Sequence, residues 1–133
     1  RGKRALTQKE KTMSDSETLF SVKDPRGYTV SLSKERYDSH IIGESGHIDV
    51  PHKDIRSAVE KPYVIYNSAR FEGRQLYFAK CSSVHPPLYV KVAAEMNETQ
   101  KTGEVVTAFL SKKVGGGIDE EKGPIYIGYS NQL

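Results

Sequence analysis

The stretches PLYVKVAAEM (residues 87–96) and GEVVTAFL (residues 103–110) decide the predicted fold. Both combine β-branched and aromatic residues with the two-residue alternation of a strand, so that Val90 and Val92 share one face and Lys91 lies on the other. The segment between them, NETQKTG, is rich in turn-forming residues. The two stretches are therefore predicted as neighbouring antiparallel strands.

Two more strand-like runs precede this pair, PYVIYNS (residues 62–68) and RQLYFAKC (residues 74–81). The turn-forming segments FEG and SSVHP separate these runs from their successors. Four strands with short connections are typical of an antiparallel meander. The glycine-rich segment that follows Lys113 is predicted to be flexible, and IYIGY (residues 125–129) is a candidate for a final edge strand.

The N-terminal part of the chain predicts a hairpin and a helix. TLFSV (residues 18–22) and YTVSL (residues 28–32) flank the turn sequence DPRG, which indicates a β-hairpin. Ser33 is placed to cap a short helix at about residues 33–42, because a hydroxyl can accept a hydrogen bond from the first helical turn. Gly43 is a typical end for that helix.

A second helix begins at Pro51, which suits a first helical turn, and it places Ile55, Ala58 and Val59 inward. The sequence thus predicts an α+β fold. Two N-terminal helices pack on a four-stranded or slightly larger antiparallel sheet, preceded by a short β-hairpin. Because the helices cover one face of the sheet, the other face is expected to be free for a ligand.

The composition indicates one domain with a modest core. The chain has 133 residues, of which 36% are hydrophobic, so a second independent core has too few residues to form. Residues 18–133 are expected to form the domain. Residues 1–17 contain few apolar side chains and are predicted to be a disordered lead segment or linker.

The sequence also restricts the class of protein. No apolar run approaches the roughly 20 residues of a membrane span. The single cysteine, Cys81, excludes a disulfide within the chain and leaves no cluster with zinc-site spacing. The net charge of +3 gives a mild bias toward anionic partners, which many unrelated proteins share.

Several polar side chains are spaced so that they can meet at the sheet. Arg36 and His40 are one helical turn apart and lie on one side of the first helix. Lys91 lies in the middle of an apolar strand and must reach solvent or an anion, while Thr107 shares a strand face with Phe109. Further cations near the same sheet are Lys80, Arg70 and Arg74. For each of these residues the alternative is an ordinary exposed or packed side chain.

The order of the motifs adds information that no single residue gives. SHII, GHIDVP, KPYVIY, QLYFAK, LYVKVAAE and EVVTAFLSK follow one another along the chain. This succession resembles the phage-type nucleases of the barnase, EndoU, colicin and RelE-like superfamily, and it covers about residues 36–112. The positions that match are His40-Ile41, His47 and Thr107-Ala108-Phe109.

The resemblance implies a toxin domain that cleaves RNA without a metal or other cofactor. In that chemistry a base removes the 2′-hydroxyl proton, the oxygen attacks the adjacent phosphate, and an acid protonates the departing 5′-oxygen, which leaves a 2′,3′-cyclic phosphate. An imidazole can carry either proton, and a cation stabilises the charge that develops on the phosphate. His40 is accordingly predicted as general base or acid, Lys80 and Lys91 as electrostatic stabilisers, and Thr107 as a hydroxyl that binds phosphate or orients His40.

The RNA contacts predicted beside this set involve cations and rings. Tyrosine rings can stack on unpaired bases, although tyrosine also packs within sheets. The residues predicted to contact RNA are Arg36, His47, Arg70, Tyr77 and Tyr89.

The resemblance also implies partners and a place of action. The substrate is expected to be tRNA or another RNA, and a cognate immunity protein or antitoxin is expected to bind the toxin, which is a monomer when free. The domain would act in the bacterial cytoplasm, either on its own or as the delivered C-terminal part of a larger protein. Two alternatives remain open: a non-catalytic module that binds RNA or protein on its sheet face, and a ribonuclease that depends on the ribosome.

Overall fold

The fold consists of a mixed β-sheet and two helices. The computed structural model describes residues 17–42, 50–81 and 88–128. In chain order the elements are β1 (Thr18–Lys23), β2 (Thr29–Ser33), α1 (Lys34–His40), α2 (His52–Glu60), β3 (Val64–Asn67), β4 (Arg74–Cys81), β5 (Leu88–Asn97), β6 (Thr102–Ser111) and β7 (Pro124–Ile127). The predicted lead segment falls almost entirely outside the described residues.

The strands of the described residues form one sheet in the order β1-β2-β6-β5-β4-β3-β7. Strands β2 and β6 are parallel, and every other neighbouring pair is antiparallel. The longest pairing joins β5 to β6, from Tyr89 opposite Ser111 to Asn97 opposite Thr102. A register shift between Ala93 and Ala94 interrupts this pairing, so the alternation of β6 changes face near Val106.

The prediction of helices on a four-stranded antiparallel sheet, with a separate hairpin before it, is wrong. The hairpin of β1 and β2 extends the sheet, because Thr29–Ser31 pairs in parallel with Thr102–Glu104. At the other edge β7 pairs with β3, which gives seven strands in total among the described residues. Strand pairing between segments so far apart in sequence depends on tertiary packing, and the alternation within each segment carries no information about it.

The two helices lie where the sequence predicts them. Ser33 caps α1 by accepting a hydrogen bond from the backbone N–H of Arg36 at 3.1 Å. Helix α2 buries Ile55, Ala58 and Val59 against the sheet, the three residues expected to face inward. In the described part of the chain, neither helix is long and apolar enough to cross a membrane.

The main core lies between the helices and one face of the sheet. Its strand side chains alternate with residues of the opposite face, as in Val90 and Val92 of β5. Burial of these apolar side chains supplies most of the driving force for folding, at about 25 cal/mol for each Å² removed from water. The largest fully buried side chains of this core are Val30, Leu32, Ile41, Val50, Ile55, Val59, Ile65, Tyr77, Val90 and Val92.

The opposite face of the sheet is partly covered, which the sequence did not predict. A smaller cluster of Val64, Leu76, Phe78 and Ala93 packs there against Val114 and Ile118, two residues that follow β6. This segment returns to the sheet through an isolated bridge between Ser68 and Ile118. The ligand-accessible part of this face is therefore the area beside the returning segment.

A buried carboxylate fastens the β1–β2 hairpin to β4. Asp24 has an exposed fraction of only 4%, and its Oδ2 accepts hydrogen bonds from the Arg26 guanidinium at 2.7 Å and from the Tyr77 hydroxyl at 2.8 Å. Arg26 also donates to Gln75 Oε1 at 2.7 Å. Within the turn, Asp24 Oδ1 accepts from the backbone N–H groups of Arg26 and Tyr28.

These contacts decide the ionisation of Asp24. Burial raises the pKa of a carboxyl group, but here the hydrogen bonds from Arg26, Tyr77 and the Tyr28 amide outweigh it and lower the pKa of Asp24 below its ordinary value of 3.8. Burial and the neighbouring carboxylate raise the pKa of Tyr77, so its hydroxyl remains a donor. The ionised Asp24 is thus the form on which the hairpin depends.

The variant Asp24→Asn tests this dependence. Because it removes the charge and leaves Arg26 without its ionic partner, we expect the free energy of unfolding, measured in urea, to fall by about 3 kcal/mol at neutral pH. The lowered pKa means that the contribution of Asp24 is complete above pH 3.8 and is lost as the pH falls through the folded-state pKa. The stabilities of wild type and variant should therefore converge on acidification.

Asp38→Asn is the matched control. Asp38 pairs with Lys34 at 2.7 Å, one helical turn away on the exposed face of α1. Exposed pairs of this kind contribute about 0.5 kcal/mol or less. If the two variants lose the same stability at neutral pH, Asp24 does not anchor the hairpin.

Candidate functional site

Helix α1 is placed beside the middle of β6 by the short parallel pairing before it. Strand β2 pairs with β6 only at Thr102–Glu104 and then continues directly into α1. The helix contacts β6, and the backbone carbonyl of its last residue lies beside Thr107, which is beyond the residues that pair with β2. His40, the last residue of α1, is brought in this way from a distant position in sequence to the sheet.

The first concave surface is lined in part by His40, and we call it the histidine groove. Its volume is about 420 Å³. Arg36 from the same helix, two glutamates and three hydroxyl-bearing residues also line it, so the lining is strongly polar. The lining residues are Thr18, Ser31, Ser33, Glu35, Arg36, His40, Glu104 and Val105.

The second concave surface lies on the sheet face away from the main core, and we call it the cationic groove. Its volume is about 370 Å³. Three cations, one threonine hydroxyl and two aromatic rings line it, and no carboxylate does. The lining residues are Ser68, Arg70, Phe71, Arg74, Leu76, Lys91, Ala93, Thr107, Phe109, Gly116 and Gly117.

Lys91 is held at the floor of the cationic groove. Its Nζ donates hydrogen bonds to the carbonyl oxygens of Gly115 at 3.0 Å and Gly116 at 2.6 Å. Gly116 has a φ of +79°, which a glycine adopts without strain and which directs the loop onto the amine. Burial, and then the charge of Arg70, lower the pKa of Lys91. The protonated form of Lys91 is therefore disfavoured mainly by its burial, and the charge of Arg70 adds to the effect.

One contact joins the two grooves. The Thr107 hydroxyl lies 3.5 Å from the backbone carbonyl oxygen of His40, at the outer limit of a hydrogen bond. Thr107 lines the cationic groove, and His40 lines the histidine groove. Strand β6 borders both, with Glu104 on the histidine side and Thr107 about 10 Å further along the strand.

The structure brings together only part of the predicted set. His40 and Arg36 share the histidine groove, whereas Lys91, Thr107 and Arg70 share the cationic groove. The sequence predicted that the Thr107 hydroxyl binds phosphate or orients His40. In the structure this hydroxyl contacts the backbone carbonyl of His40 and not the imidazole. His47 lies outside the described residues.

Lys80, Tyr77 and Tyr89 are placed differently from these residues. The Lys80 amine lies 5.1 Å from the centre of the Tyr63 ring, and Lys80 lines neither groove. Tyr89 is half-buried beside the same ring, with 5.8 Å between ring centres. The prediction that Tyr77 contacts RNA is wrong, because Tyr77 is fully buried in the main core and its hydroxyl donates a hydrogen bond to Asp24.

Sequence reasoning missed Glu35, Glu104 and Phe71. A glutamate in a first helical turn and another in a strand each look like ordinary surface residues, and no local pattern indicates that both line one groove with His40. The sequence pattern indicates only that Phe71 belongs to the FEG turn. An aromatic residue in a short turn between two strands was the available signal, because such a side chain has no core to enter.

Comparisons with protein-family models, with curated proteins and with solved structures give no match for this chain. The nuclease resemblance therefore stays a prediction, and the two grooves are the structural features that bear on function. Among the described residues, no group of three or more histidine, cysteine, aspartate or glutamate side chains could hold a metal ion.

Proposed function

We propose that the protein is an endoribonuclease that cleaves RNA by attack of the 2′-hydroxyl on the adjacent phosphate, without a metal ion, and leaves a 2′,3′-cyclic phosphate. The observation that carries the proposal is the 3.5 Å contact between the Thr107 hydroxyl and the backbone carbonyl oxygen of His40, which places the residue His40 beside the cationic groove. It joins a phosphate-binding surface to a histidine suited to proton transfer. A cleavage site needs both functions side by side.

The cationic groove supplies the phosphate-binding function. Lys91 and Arg70 give positive charge, and the Thr107 hydroxyl gives a donor at the end nearest α1. The loop carbonyls fix the Lys91 amine, so its charge is already in place when the phosphate gains charge during attack. We assign charge stabilisation to Lys91 rather than to Lys80, which lies beside Tyr63 instead.

The histidine groove supplies the proton transfers. Cleavage needs one group to remove the 2′-hydroxyl proton and another to protonate the departing 5′-oxygen. His40 serves as one, and a carboxylate at the same groove, Glu35 or Glu104, serves as the other. Each positioned acid or base of this kind contributes about 10²- to 10⁴-fold to the rate.

The biological setting follows from the same proposal. A ribonuclease of this kind is toxic to the cell that makes it, so an immunity protein or antitoxin would have to cover the grooves. An acidic inhibitor suits the carboxylate-free lining of the cationic groove. The free toxin would act as a monomer on tRNA or another RNA in the bacterial cytoplasm, whether on its own or as part of a larger delivered protein.

A non-catalytic RNA-binding module is the second candidate. The cationic groove favours it, because cations beside aromatic rings bind RNA without any chemistry. The histidine groove distinguishes the two candidates. RNA binding alone does not need a histidine and a glutamate at one surface, whereas the proposed proton transfers use His40 and one of the two glutamates.

The variant His40→Ala tests the proposed chemistry. Wild-type protein incubated with total RNA in EDTA should produce new 5′ ends and 2′,3′-cyclic phosphates, and His40→Ala should reduce the rate by at least about 10²-fold because one proton transfer is lost. His52→Ala is the control, because it removes another exposed histidine, the one on α2. This variant should cleave at the wild-type rate. Equal rates for wild type and His40→Ala would refute this site.

The carboxylate is tested by Glu35→Gln and Glu104→Gln, each measured singly in the same assay. Glutamine keeps the shape but cannot accept the proton, so one of the two variants should lose about 10²-fold or more in rate. Thermal melting of each variant checks that the fold is intact. Full activity in both variants would exclude a carboxylate as the second group.

Lys91→Met and Lys80→Met form a matched pair. Both remove an ammonium group from a strand of the same sheet, but only Lys91 lines the cationic groove. We expect Lys91→Met to lower cleavage by about 10²-fold or more, as for loss of a preorganised charge at a reacting phosphate, and Lys80→Met to change it little. If Lys80→Met lowers the cleavage rate more than Lys91→Met does, the phosphate does not bind in this groove.

A further inference from the structure

The turn between β3 and β4 presents an aromatic ring at the mouth of the cationic groove. Phe71 is 52% exposed, more than any other large hydrophobic side chain of the described residues. Exposure of a whole ring to water is unfavourable, by about 25 cal/mol for each Å² left uncovered. An exposed ring that borders a charged groove therefore points to a ligand with an apolar surface and an attached anion.

The backbone of this turn is well defined by hydrogen bonds. The Ser68 hydroxyl accepts from the N–H groups of Arg70 and Phe71, each at 3.1 Å. Gly73, with a φ of +82°, closes the turn, and the N–H of Arg74 donates to the Phe71 carbonyl at 3.2 Å. The backbone that carries Phe71 is thus already ordered, which lowers the entropy cost of binding a ligand to this residue.

Arg74 supports the ring from one side. Its guanidinium carbon lies 4.2 Å from the centre of the Phe71 ring. Two hydrogen bonds to Glu95 Oε1, at 2.9 and 2.7 Å, fix the guanidinium in that position. The ring is therefore stacked on a fixed cation while more than half of the residue's surface remains accessible.

We propose that Phe71 is a stacking platform for an unpaired base, and that the substrate of the cationic groove is single-stranded RNA. The inference rests on the proposed function, since it places the sugar-phosphate backbone in the same groove. A planar base fits the exposed ring, and the phosphate beside it meets Arg70 and Lys91. A base inside a duplex is already stacked on both faces and cannot reach the ring.

The test measures binding without cleavage. Short RNA oligonucleotides with 2′-O-methyl groups cannot be cleaved, because the attacking hydroxyl is blocked, and fluorescence anisotropy reports their binding to the full chain. We expect the single strand to bind more tightly than the duplex of the same sequence. Phe71→Ala should weaken single-strand binding by about tenfold, as for the loss of one stacked base, and should leave duplex binding unchanged.

Two substitutions separate stacking from simple apolar contact. Phe71→Trp keeps an aromatic face and should retain wild-type affinity, whereas Phe71→Leu keeps an apolar side chain without a ring and should bind as weakly as Phe71→Ala. Ile127→Ala is the control, because Ile127 is 41% exposed on β7 and lines neither groove. It should bind like the wild type.

The outcomes distinguish this inference from the proposed function. Wild-type affinity in Phe71→Leu, or a duplex that binds as tightly as the single strand, would overturn the stacking platform while leaving the cleavage assay unaffected. Phe71-dependent binding in a protein that cleaves no RNA would overturn the proposed chemistry alone. If no oligonucleotide binds, the groove has another occupant, such as a protein, and the inference fails.

Discussion

The short parallel pairing between β2 and β6 positions the rest of the candidate site. It covers Thr29–Ser31 and Thr102–Glu104, and only two residues separate the paired part of β2 from the start of α1. Because the pairing ends there, the helix lies along the unpaired continuation of β6 and its last residue, His40, reaches the carbonyl contact with Thr107. A longer pairing would extend β2 along β6 and exclude the helix from this position. The end of the pairing therefore determines where a histidine meets the sheet.

This pairing in turn requires a fixed register of the β1–β2 hairpin, and the hydrogen bonds of Asp24 fix that register. A buried carboxylate is costly to desolvate, and its attraction to Arg26 offsets that cost only because Tyr77, Gln75 and backbone amides complete the hydrogen bonds. Apolar packing alone would allow the hairpin to slide, since a shift by two residues keeps the same face buried. The polar network permits one register.

The sequence could predict elements but not the way in which they meet. The Ser33 cap, the inward face of α2 and the alternation of β5 depend on neighbours within a few residues, so local patterns were sufficient. Tyr77 was misjudged because alternation separates two faces without saying which one the helices cover. Glu104 and Phe71 were missed for a related reason: each acquires a role only from residues that the tertiary fold brings beside it, namely His40 for Glu104 and Arg74 for Phe71.

Several residues of the cationic groove lower the stability of the folded chain. The lowered pKa of Lys91 means that its protonated form is less favourable in the folded chain than in water, so at neutral pH the charge opposes folding. Arg70 adds to that cost, and the exposed ring of Phe71 adds another. An apolar residue in place of Lys91 would remove the first two costs, and a polar residue in place of Phe71 would remove the third. A bound phosphate would relieve the first two by supplying the missing negative charge, and a stacked base would relieve the third. These unfavourable features would share one chemical remedy, a nucleotide, which is consistent with the proposed role of the groove in binding RNA.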